Sequence, residues 1–329
     1  MTSRLPTTDL YFAHACHDWI GKWWTRGLVR AVGKNCFVAG DTLLLVRRDE
    51  NALMQRALDW PGRLVYLIDD DIAGAAQSLA LPADYRRRLA QFNREFHRAL
   101  LERADILLVS CEPLAALFTQ DPRIKAKVRQ IFPYWPLDFA DDRHFAGLGN
   151  GAPLRIVHLG SGSHAGAFAA LAPILAELLD GPVEVRLTCF GRELPPGLPT
   201  SHPKIQRLKP MRWPTYRRWL ARQRFHLALY PLEPTPFDAA RSANKIVEHA
   251  IVGAVGLYPE DWPLVHLAGG GCLTAPADPA DWGQALKHAV RGRTELAGLS
   301  RQAARSVALY NDRAVQRALW SDVLDLPFA

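Results

Sequence analysis

The chain has 329 residues, which exceeds one typical folding core and predicts two domains of about 150 residues each. Apolar residues make up 49% of the sequence, which excludes general disorder, and no apolar run reaches the roughly 18 residues that cross a bilayer. The formal net charge of +7 favours an anionic ligand or surface. The basic residues sit on separate predicted helices without a recognisable nucleic-acid-binding motif, so we expect no nucleic-acid partner.

The first half of the chain contains the elements of an α/β domain. Strands are predicted at 9–13, at either 35–39 or 41–46, at 63–68 and at 105–110, and helices at 17–31, 50–58, 83–103 and 112–119. A short strand near 127–132 leads into a polar, Gly-rich segment, 145–153. We place the domain boundary in that segment, which gives an N-terminal domain of 1–150 and a C-terminal domain of 151–329.

The second half alternates strands with helices more regularly. Strands are predicted at 155–159, 184–190, 205–208, 226–230, 254–258 and 271–275, and the main helices at 165–180, 213–224, 241–253 and 279–290. Most of these strands are continuous apolar runs, which indicates a parallel sheet covered by helices on both faces. We therefore predict an α/β fold with two Rossmann-like, doubly wound domains.

The helix predicted at 241–253 carries two opposite charges on an otherwise small or apolar sequence. Lys245 and Glu248 lie three residues apart and therefore on one helix face. They form either a local ion pair or the contacts of a polar ligand. A cation near a helix start opposes the helix dipole, but it is well placed if a phosphate lies between them. Ser242 is a candidate cap for this helix, and Arg241 is a second candidate phosphate contact.

The sequence from 154 to 325 resembles the GT-B glycosyltransferases, and within them the retaining group named glycosyl transferases group 1. The resemblance rests on LRIVHLGSGSHAGAF at the start of the C-terminal domain, on Gly191 after the second strand, and on FHLALYPLEPTPFDAARSANKIVEHAIVGAVGLYPED. It implies two domains facing across a cleft, with a sugar nucleotide on the C-terminal side and an acceptor on the N-terminal side. It also implies retention at the anomeric carbon, with Glu248 accepting hydrogen bonds from the ribose hydroxyls.

The sequence departs from this family's pattern at two places. The loop after the first strand of the C-terminal domain offers Gly160, Ser161, Gly162, Ser163 and His164, where the family has an Arg and a Lys for the diphosphate. The first Glu of the family's paired-Glu motif also has no clean match, because Glu233 comes too early and Asp238 is displaced. The Gly/Ser loop is either a phosphate or acceptor contact or a tight turn. Gly191 and Arg192 are further donor-site candidates.

Three consecutive aspartates, Asp69, Asp70 and Asp71, follow the strand predicted at 63–68. Carboxylates crowded at the end of a parallel strand repel one another, so we expect such a cluster to have a functional or structural role. They could bind a metal, orient acceptor hydroxyls, or supply a base or nucleophile, and the last could instead cap the next helix. The resembling enzymes need no metal for the donor diphosphate. We therefore favour an acceptor or catalytic contact and expect neither a metal nor another cofactor.

Three histidines are also candidates for the cleft. His14 and His17 follow the first candidate strand, and His164 faces the cleft from the C-terminal side. A histidine in either place could act as a base or touch the transferred sugar, although a single histidine is more often a structural residue.

The segment 17–30 interleaves Trp19, Trp23 and Trp24 with the cations Lys22, Arg26 and Arg30. Tryptophans beside cations suit a membrane interface, and packing into the domain core is the alternative. The N-terminus lacks the apolar region of a signal peptide. We therefore expect a cytoplasmic protein, with peripheral contact to the inner membrane surface as a further hypothesis.

The function predicted from these features is transfer of a sugar from a nucleotide-activated donor to a glycan, lipid-linked or other cell-envelope acceptor, as in polysaccharide biosynthesis. Two alternatives remain open. One is a catalytically inactive GT-B-like binding or partner subunit, which would bind the donor without turnover. The other is a sugar-nucleotide epimerase, which would interconvert donors in the absence of an acceptor.

Overall fold

The computed structural model of the chain describes residues 4–21, 27–160 and 165–327. Within these residues the chain forms two six-stranded sheets with helices packed against them. The strand order is β1-β2-β3-β4-β5-β6 in the first sheet and β12-β11-β10-β7-β8-β9 in the second. The two sheets confirm the predicted α/β class.

The first sheet begins as an antiparallel meander and continues as a parallel sheet. Its strands are β1 (Arg30–Ala31), β2 (Cys36–Ala39), β3 (Thr42–Val46), β4 (Leu64–Ile68), β5 (Ile106–Val109) and β6 (Lys127–Gln130). Strands β1, β2 and β3 pair antiparallel, and β3 to β6 pair parallel. The two candidate strands that the sequence offered as alternatives both form, as β2 and β3. Gly40, with a φ of +57° that favours glycine, makes the tight turn between them.

The helices of the first half are mostly the predicted ones. They are α1 (Pro6–Thr8), α2 (Asn51–Leu58), α3 (Ile72–Gln77), α4 (Ala83–Phe92), α5 (Arg98–Arg103) and α6 (Glu112–Gln120). Helix α1 continues as a π-helical turn (Asp9–Ala13), and a second π-helical turn (Asn93–His97) joins α4 to α5. The predicted strand at 9–13 is wrong, because this segment is helical. Four consecutive side chains, Leu10 to Ala13, are buried, and a short run buried on all sides has no periodicity that separates a strand from a helix.

The predicted helix at 17–31 is also wrong in its described part. Residues 30 and 31 form β1, and Ile20 makes an isolated bridge with Val29. Trp19 is 3% exposed and lies under the Arg317 guanidinium, 4.6 Å from the ring centroid, so it packs into the core. Residues 22–26, which include the other two tryptophans of this segment, lie outside the described residues.

The second sheet is entirely parallel. Its strands are β7 (Leu154–His158), β8 (Val185–Phe190), β9 (Ile205–Leu208), β10 (Leu227–Leu229), β11 (Val255–Pro259) and β12 (Cys272–Ala275). Its helices are α7 (Ala165–Ala170), α8 (Ala172–Asp180), α9 (Trp213–Leu220), α10 (Pro236–Ala239), α11 (Asn244–Ile251), α12 (Pro279–Arg291) and α13 (Leu296–Ala308). The strand order reverses between β7 and β10, and ligands of such sheets bind beyond the carboxyl ends of the strands at that point.

The last helix, α14 (Arg313–Leu324), packs against the first half of the chain. Trp320, which is fully buried, donates from Nε1 to the Tyr11 carbonyl at 2.7 Å. Gln316 donates to the carbonyls of Leu10 at 2.9 Å and Phe132 at 2.7 Å. The division at residue 150 stays a prediction, and α14 lies across it. No helix within the described ranges combines the length and the apolar character needed to cross a bilayer.

Candidate functional site

A cavity of about 730 Å³ lies beyond the carboxyl ends of β7 and β8. We call it the central cavity. Both halves of the chain line it, the first through Pro6, Leu10 and Trp135 and the second through loops and helices around the strand ends. Five of the predicted donor-site residues are among those lining it: Gly160, Gly191, Arg192, Lys245 and Glu248. The topology thus brings together residues that are up to 88 positions apart, from Gly160 to Glu248.

Glu248 is held at the wall of the central cavity by two donors. Its Oε2 atom accepts from Lys245 Nζ at 2.6 Å and from the Tyr216 hydroxyl at 2.6 Å. Lys245 Nζ also donates to the Leu159 carbonyl at 2.7 Å. Among the described residues none donates to the other carboxylate oxygen, Oε1. The ion pair expected as one explanation of the two charges therefore forms, and one carboxylate oxygen is left for a ligand.

Tyr216 is a site residue that the sequence reasoning missed. It lies on α9, an arginine-rich helix, and its half-buried ring lines the central cavity. Burial, followed by the neighbouring Glu248 carboxylate, holds the pKa of Tyr216 well above its usual value. The phenol therefore stays protonated and acts as a donor to Glu248. The spacing of Trp213, Tyr216 and Trp219 at intervals of three was the available signal.

Aromatic rings form one wall of the central cavity. The rings of Trp213 and Tyr216 are near-parallel, with centroids 6.2 Å apart, and Trp135 meets Trp213 edge-on at 5.2 Å. Phe190, the last residue of β8, meets Tyr216 edge-on at 5.8 Å. Such rings offer flat apolar surface on which a planar ligand group can stack.

His158 and Gly160 form the floor of the central cavity at the end of β7. The His158 ring stacks on Phe168, with centroids 4.0 Å apart, and its Nδ1 donates to the Leu229 carbonyl at 3.2 Å. Burial lowers the pKa of His158 to about 4, so the ring is neutral near pH 7. A Cβ atom on Gly160 would lie 2.1 Å from His158 Nε2, so only glycine fits there. Ser161, Gly162, Ser163 and His164 lie outside the described residues.

Asp69 and Asp70 lie away from the central cavity, in what we call the aspartate–arginine cluster: Arg47, Asp69, Asp70 and Arg241. Arg47 Nη1 contacts Asp69 at 3.1 Å and Asp70 at 2.9 Å, and Arg241 Nη1 donates to Asp70 at 3.0 Å. Burial acts to raise the pKa of Asp70, but Arg47 and Arg241 outweigh it and the pKa is lowered. Burial raises the pKa of Asp69. Arg241, predicted as a phosphate contact, instead joins the two halves of the chain.

Three other predicted residues make local structural contacts. Asp71 caps α3 by accepting from the Gly74 amide at 2.8 Å, the alternative that the sequence left open. His14 Nε2 accepts from Arg217 at 2.7 Å, and burial, followed by that guanidinium, lowers its pKa to about 4. Ser242 does not cap α11, because Ala243 takes the N-cap position, and the Ser242 hydroxyl accepts from Asn244 at 3.0 Å. His17 is exposed.

No group of three or more His, Cys, Asp or Glu side chains in the described part of the chain could hold a metal ion. That the reaction needs no metal stays a prediction.

Replacing Tyr216 by phenylalanine removes one of the two donors to Glu248 and keeps the ring. We expect donor affinity to fall by about 1 kcal/mol, or about fivefold, with kcat unchanged, because the carboxylate loses its fixed orientation. The KM and kcat for the donor would test this. The matched control is Tyr310→Phe, because the buried Tyr310 hydroxyl has no hydrogen-bond partner among the described residues. Equal donor KM values for the two variants would contradict the positioning role.

Comparison with solved structures supports the architecture. No family model and no curated protein matches the chain in sequence. The chain is similar in structure to Anabaena HepE in complex with UDP and glucose, with a TM-score of 0.58 and 15% identity over 86% of this chain and 77% of that one. It is also similar to sucrose-phosphate synthase from Thermosynechococcus elongatus, with a TM-score of 0.56 and 12% identity over 82% and 69%.

A third similar structure is α,α-trehalose 6-phosphate synthase from Burkholderia multivorans, with a TM-score of 0.53 and 12% identity over 86% of this chain and 70% of that one. At these identities the likeness shows the fold alone. It confirms the predicted GT-B arrangement of two α/β sheets.

Proposed function

We propose that the chain is a GT-B glycosyltransferase that binds a nucleotide sugar in the central cavity and transfers the sugar to an acceptor held by the first half of the chain. The observation that carries the proposal is the meeting of Glu248, Lys245 and an aromatic wall in one cavity at the reversal point of a parallel sheet. That HepE was solved with UDP and with UDP-glucose supports a nucleotide-sugar donor.

Each part of the donor has a matching surface in the central cavity. The free Oε1 atom of Glu248 can accept from the ribose hydroxyls, since a carboxylate oxygen accepts from two donors of a cis-diol. The base fits against Trp213 and Tyr216. The diphosphate then lies near Lys245 and the amino end of α11, where a helix favours negative charge.

Replacing Lys245 by alanine should lower turnover more than donor affinity. Negative charge grows on the departing diphosphate in the transition state, and removal of one stabilising group of this kind costs about 10² to 10³ in kcat. We expect kcat to fall by about that factor and donor KM to change by less than about tenfold. Lys287→Ala is the control, because Lys287 pairs with Glu177 at the surface. Normal turnover with a lower melting temperature would show that Lys245 is only an ion-pair residue.

The finer assignments are proposals that extend this one. We propose a glycan, lipid-linked or other cell-envelope acceptor, retention at the anomeric carbon, no metal requirement, and a cytoplasmic enzyme with peripheral contact to the inner membrane surface. The net charge of +7 supports an anionic acceptor or surface.

An inactive partner subunit is a second candidate function that one observation favours. Asp238, the displaced match to the family's first Glu, is 5% exposed and accepts from the Glu233 amide at 3.0 Å, with Arg241 Nε 3.4 Å away. One oxygen of its carboxylate is thus held by the backbone of the chain, and Asp238 is not among the residues that line the central cavity.

A panel of nucleotide sugars in a thermal-shift assay, followed by incubation of each binder with candidate acceptors, separates these functions. A glycosyltransferase consumes the donor only with an acceptor. An inactive subunit binds the donor and leaves it unchanged with every acceptor. Interconversion of donors without an acceptor would identify an epimerase, and the absence of any thermal shift would contradict the proposed donor site.

A further inference from the structure

His158, the last residue of β7, has one ring nitrogen that the fold does not use. Its Nδ1 atom lies 3.2 Å from the Leu229 carbonyl, and a carbonyl oxygen only accepts, so Nδ1 carries a proton. Burial and, more weakly, Lys245 lower the pKa of His158 to about 4 against the opposing effect of the Leu229 carbonyl, so the ring holds one proton near pH 7. The Nε2 atom is therefore a bare acceptor.

The Nε2 atom of His158 faces the floor of the central cavity. The stack on Phe168, with ring planes within 4° of parallel, and the bond to Leu229 together fix the ring. Gly160 leaves the space beside Nε2 open, because a Cβ atom at that position would lie 2.1 Å from it. The residue is 2% exposed, and no described residue donates to Nε2. A buried acceptor without a donor costs free energy, so this one points to a ligand that donates.

A continuous line of contacts along the central cavity ends at His158. The Tyr216 hydroxyl donates to Glu248 at 2.6 Å, Lys245 donates to the same carboxylate at 2.6 Å, and Lys245 also donates to the carbonyl of Leu159, the neighbour of His158, at 2.7 Å. In the proposed function the base lies at Tyr216, the ribose at Glu248 and the diphosphate at Lys245. The next group along the donor, the transferred sugar, then lies at His158.

The chemistry of the Nε2 atom separates a sugar from a phosphate. The oxygens of a diphosphate ester are deprotonated near pH 7 and only accept hydrogen bonds, so they are repelled by the lone pair of a neutral imidazole. A sugar hydroxyl carries a proton that it can donate to Nε2. The partner that fits His158 is therefore a hydroxyl group.

We propose that His158 Nε2 accepts a hydrogen bond from a hydroxyl of the transferred sugar and selects donors that carry this hydroxyl. The proposal rests on the proposed function and adds a specificity-determining residue to it. A sugar without the hydroxyl leaves a buried acceptor unpaired, which is the strongest way for a site to reject an analogue. The substrate class is thus a nucleotide sugar with a free hydroxyl at the position that meets His158.

The test compares UDP with a UDP-sugar by calorimetric titration into the full chain. The sugar probe is whichever of UDP-glucose, UDP-galactose and UDP-N-acetylglucosamine binds the wild type most tightly. In His158→Asn the amide nitrogen can still donate to the Leu229 carbonyl, and the acceptor at the Nε2 position is lost. We expect this variant to bind the UDP-sugar about fivefold more weakly than the wild type does and to bind UDP equally well.

Two further variants separate this contact from a loss of stability. His97→Asn is the matched control, because His97 is 1% exposed and is not among the described residues that line the central cavity, so both affinities should stay unchanged. In His158→Gln the amide oxygen reaches toward the Nε2 position and should restore part of the UDP-sugar affinity. Circular dichroism and melting temperature would confirm that the variants fold.

Fluorinated analogues of the same UDP-sugar identify the hydroxyl and test the wild type directly. Fluorine replaces one sugar hydroxyl at a time and cannot donate a hydrogen bond. We expect the wild type to bind one analogue about fivefold more weakly than the parent UDP-sugar, and His158→Asn to bind that analogue and the parent equally well. Equal binding of all the analogues by the wild type would overturn the proposal, whether or not the variants fold.

The remaining outcomes separate this proposal from the proposed function. Equal losses of UDP and UDP-sugar affinity in His158→Asn would place His158 beside the base or the diphosphate and overturn the sugar contact, as would unchanged affinity for both ligands. A wild type that binds UDP but none of the three UDP-sugars would overturn the sugar contact and leave the nucleotide site standing. A wild type that binds neither UDP nor a UDP-sugar would contradict the proposed function, and the sugar contact with it.

Discussion

Replacing Glu248 by alanine should weaken binding of the nucleoside diphosphate by about 10- to 150-fold while the fold survives. The expected loss is about 1.5–3 kcal/mol, the range for hydrogen bonds to a charged group, and each 1.4 kcal/mol is about tenfold. The carboxylate is held on Oε2 by Lys245 and Tyr216 and offers Oε1 to the ribose, so its removal takes away a pre-oriented acceptor. Calorimetric titration of the nucleotide measures the change.

One companion variant helps to separate ribose recognition from the release of Lys245. Glu248→Gln keeps the size of the side chain and removes its charge, so it should lose less affinity than alanine. In Glu248→Ala, Lys245 keeps its contact with the Leu159 carbonyl and is free to approach the diphosphate, which would offset part of the loss. Nucleotide affinity that is unchanged in folded Glu248→Ala would exclude the ribose contact.

Replacing Asp70 by alanine should destabilise the chain by about 3–5 kcal/mol, because it leaves two buried arginines without their shared carboxylate. The side chains of Arg47 and Arg241 are 17% and 10% exposed, so water cannot fully replace Asp70. Urea unfolding measures the loss. Asp84→Ala is the control: Asp84 pairs with Arg87, its side chain is 82% exposed, and its loss should cost at most about 1 kcal/mol. Equal losses in the two variants would contradict a buried cluster.

The pH dependence of stability follows from the same carboxylate. Arg47 and Arg241 lower the pKa of Asp70 in the folded chain. Asp70 therefore contributes fully to the free energy of unfolding above its pKa in the unfolded chain, about 3.9. That contribution is lost as the pH falls through the lower pKa of the folded chain. The pKa of Asp69 is raised, so its effect has the opposite sign and favours the folded state at low pH. The wild type should therefore lose more stability below about pH 4 than Asp70→Ala does.

The second sheet and the Lys245–Glu248 pair could be predicted from the sequence because both depend on local patterns. Continuous apolar strands separated by helices predict a parallel sheet, and a spacing of three residues places two side chains on one helix face. The segment 9–13 was mispredicted because four buried residues in a row fit a strand and a buried helix equally well.

The remaining site residues depend on contacts between distant parts of the chain. Tyr216 reaches Glu248 across 32 residues, and Asp70 reaches Arg241 across 171. No local pattern signals such pairs. The sequence indicated the crowding of Asp69 and Asp70 but not the two arginines that neutralise them. Arg47 follows the end of strand β3, and Arg241 lies in the other half of the chain.

A crystal structure of the chain with its tightest-binding nucleoside diphosphate tests most directly whether the central cavity is the donor site. We expect the ribose hydroxyls within hydrogen-bond distance of Glu248 Oε1, the base against Trp213 and Tyr216, and the diphosphate beside Lys245. A nucleotide bound outside the central cavity, or bound within it without a contact to Glu248, would contradict the proposed donor site.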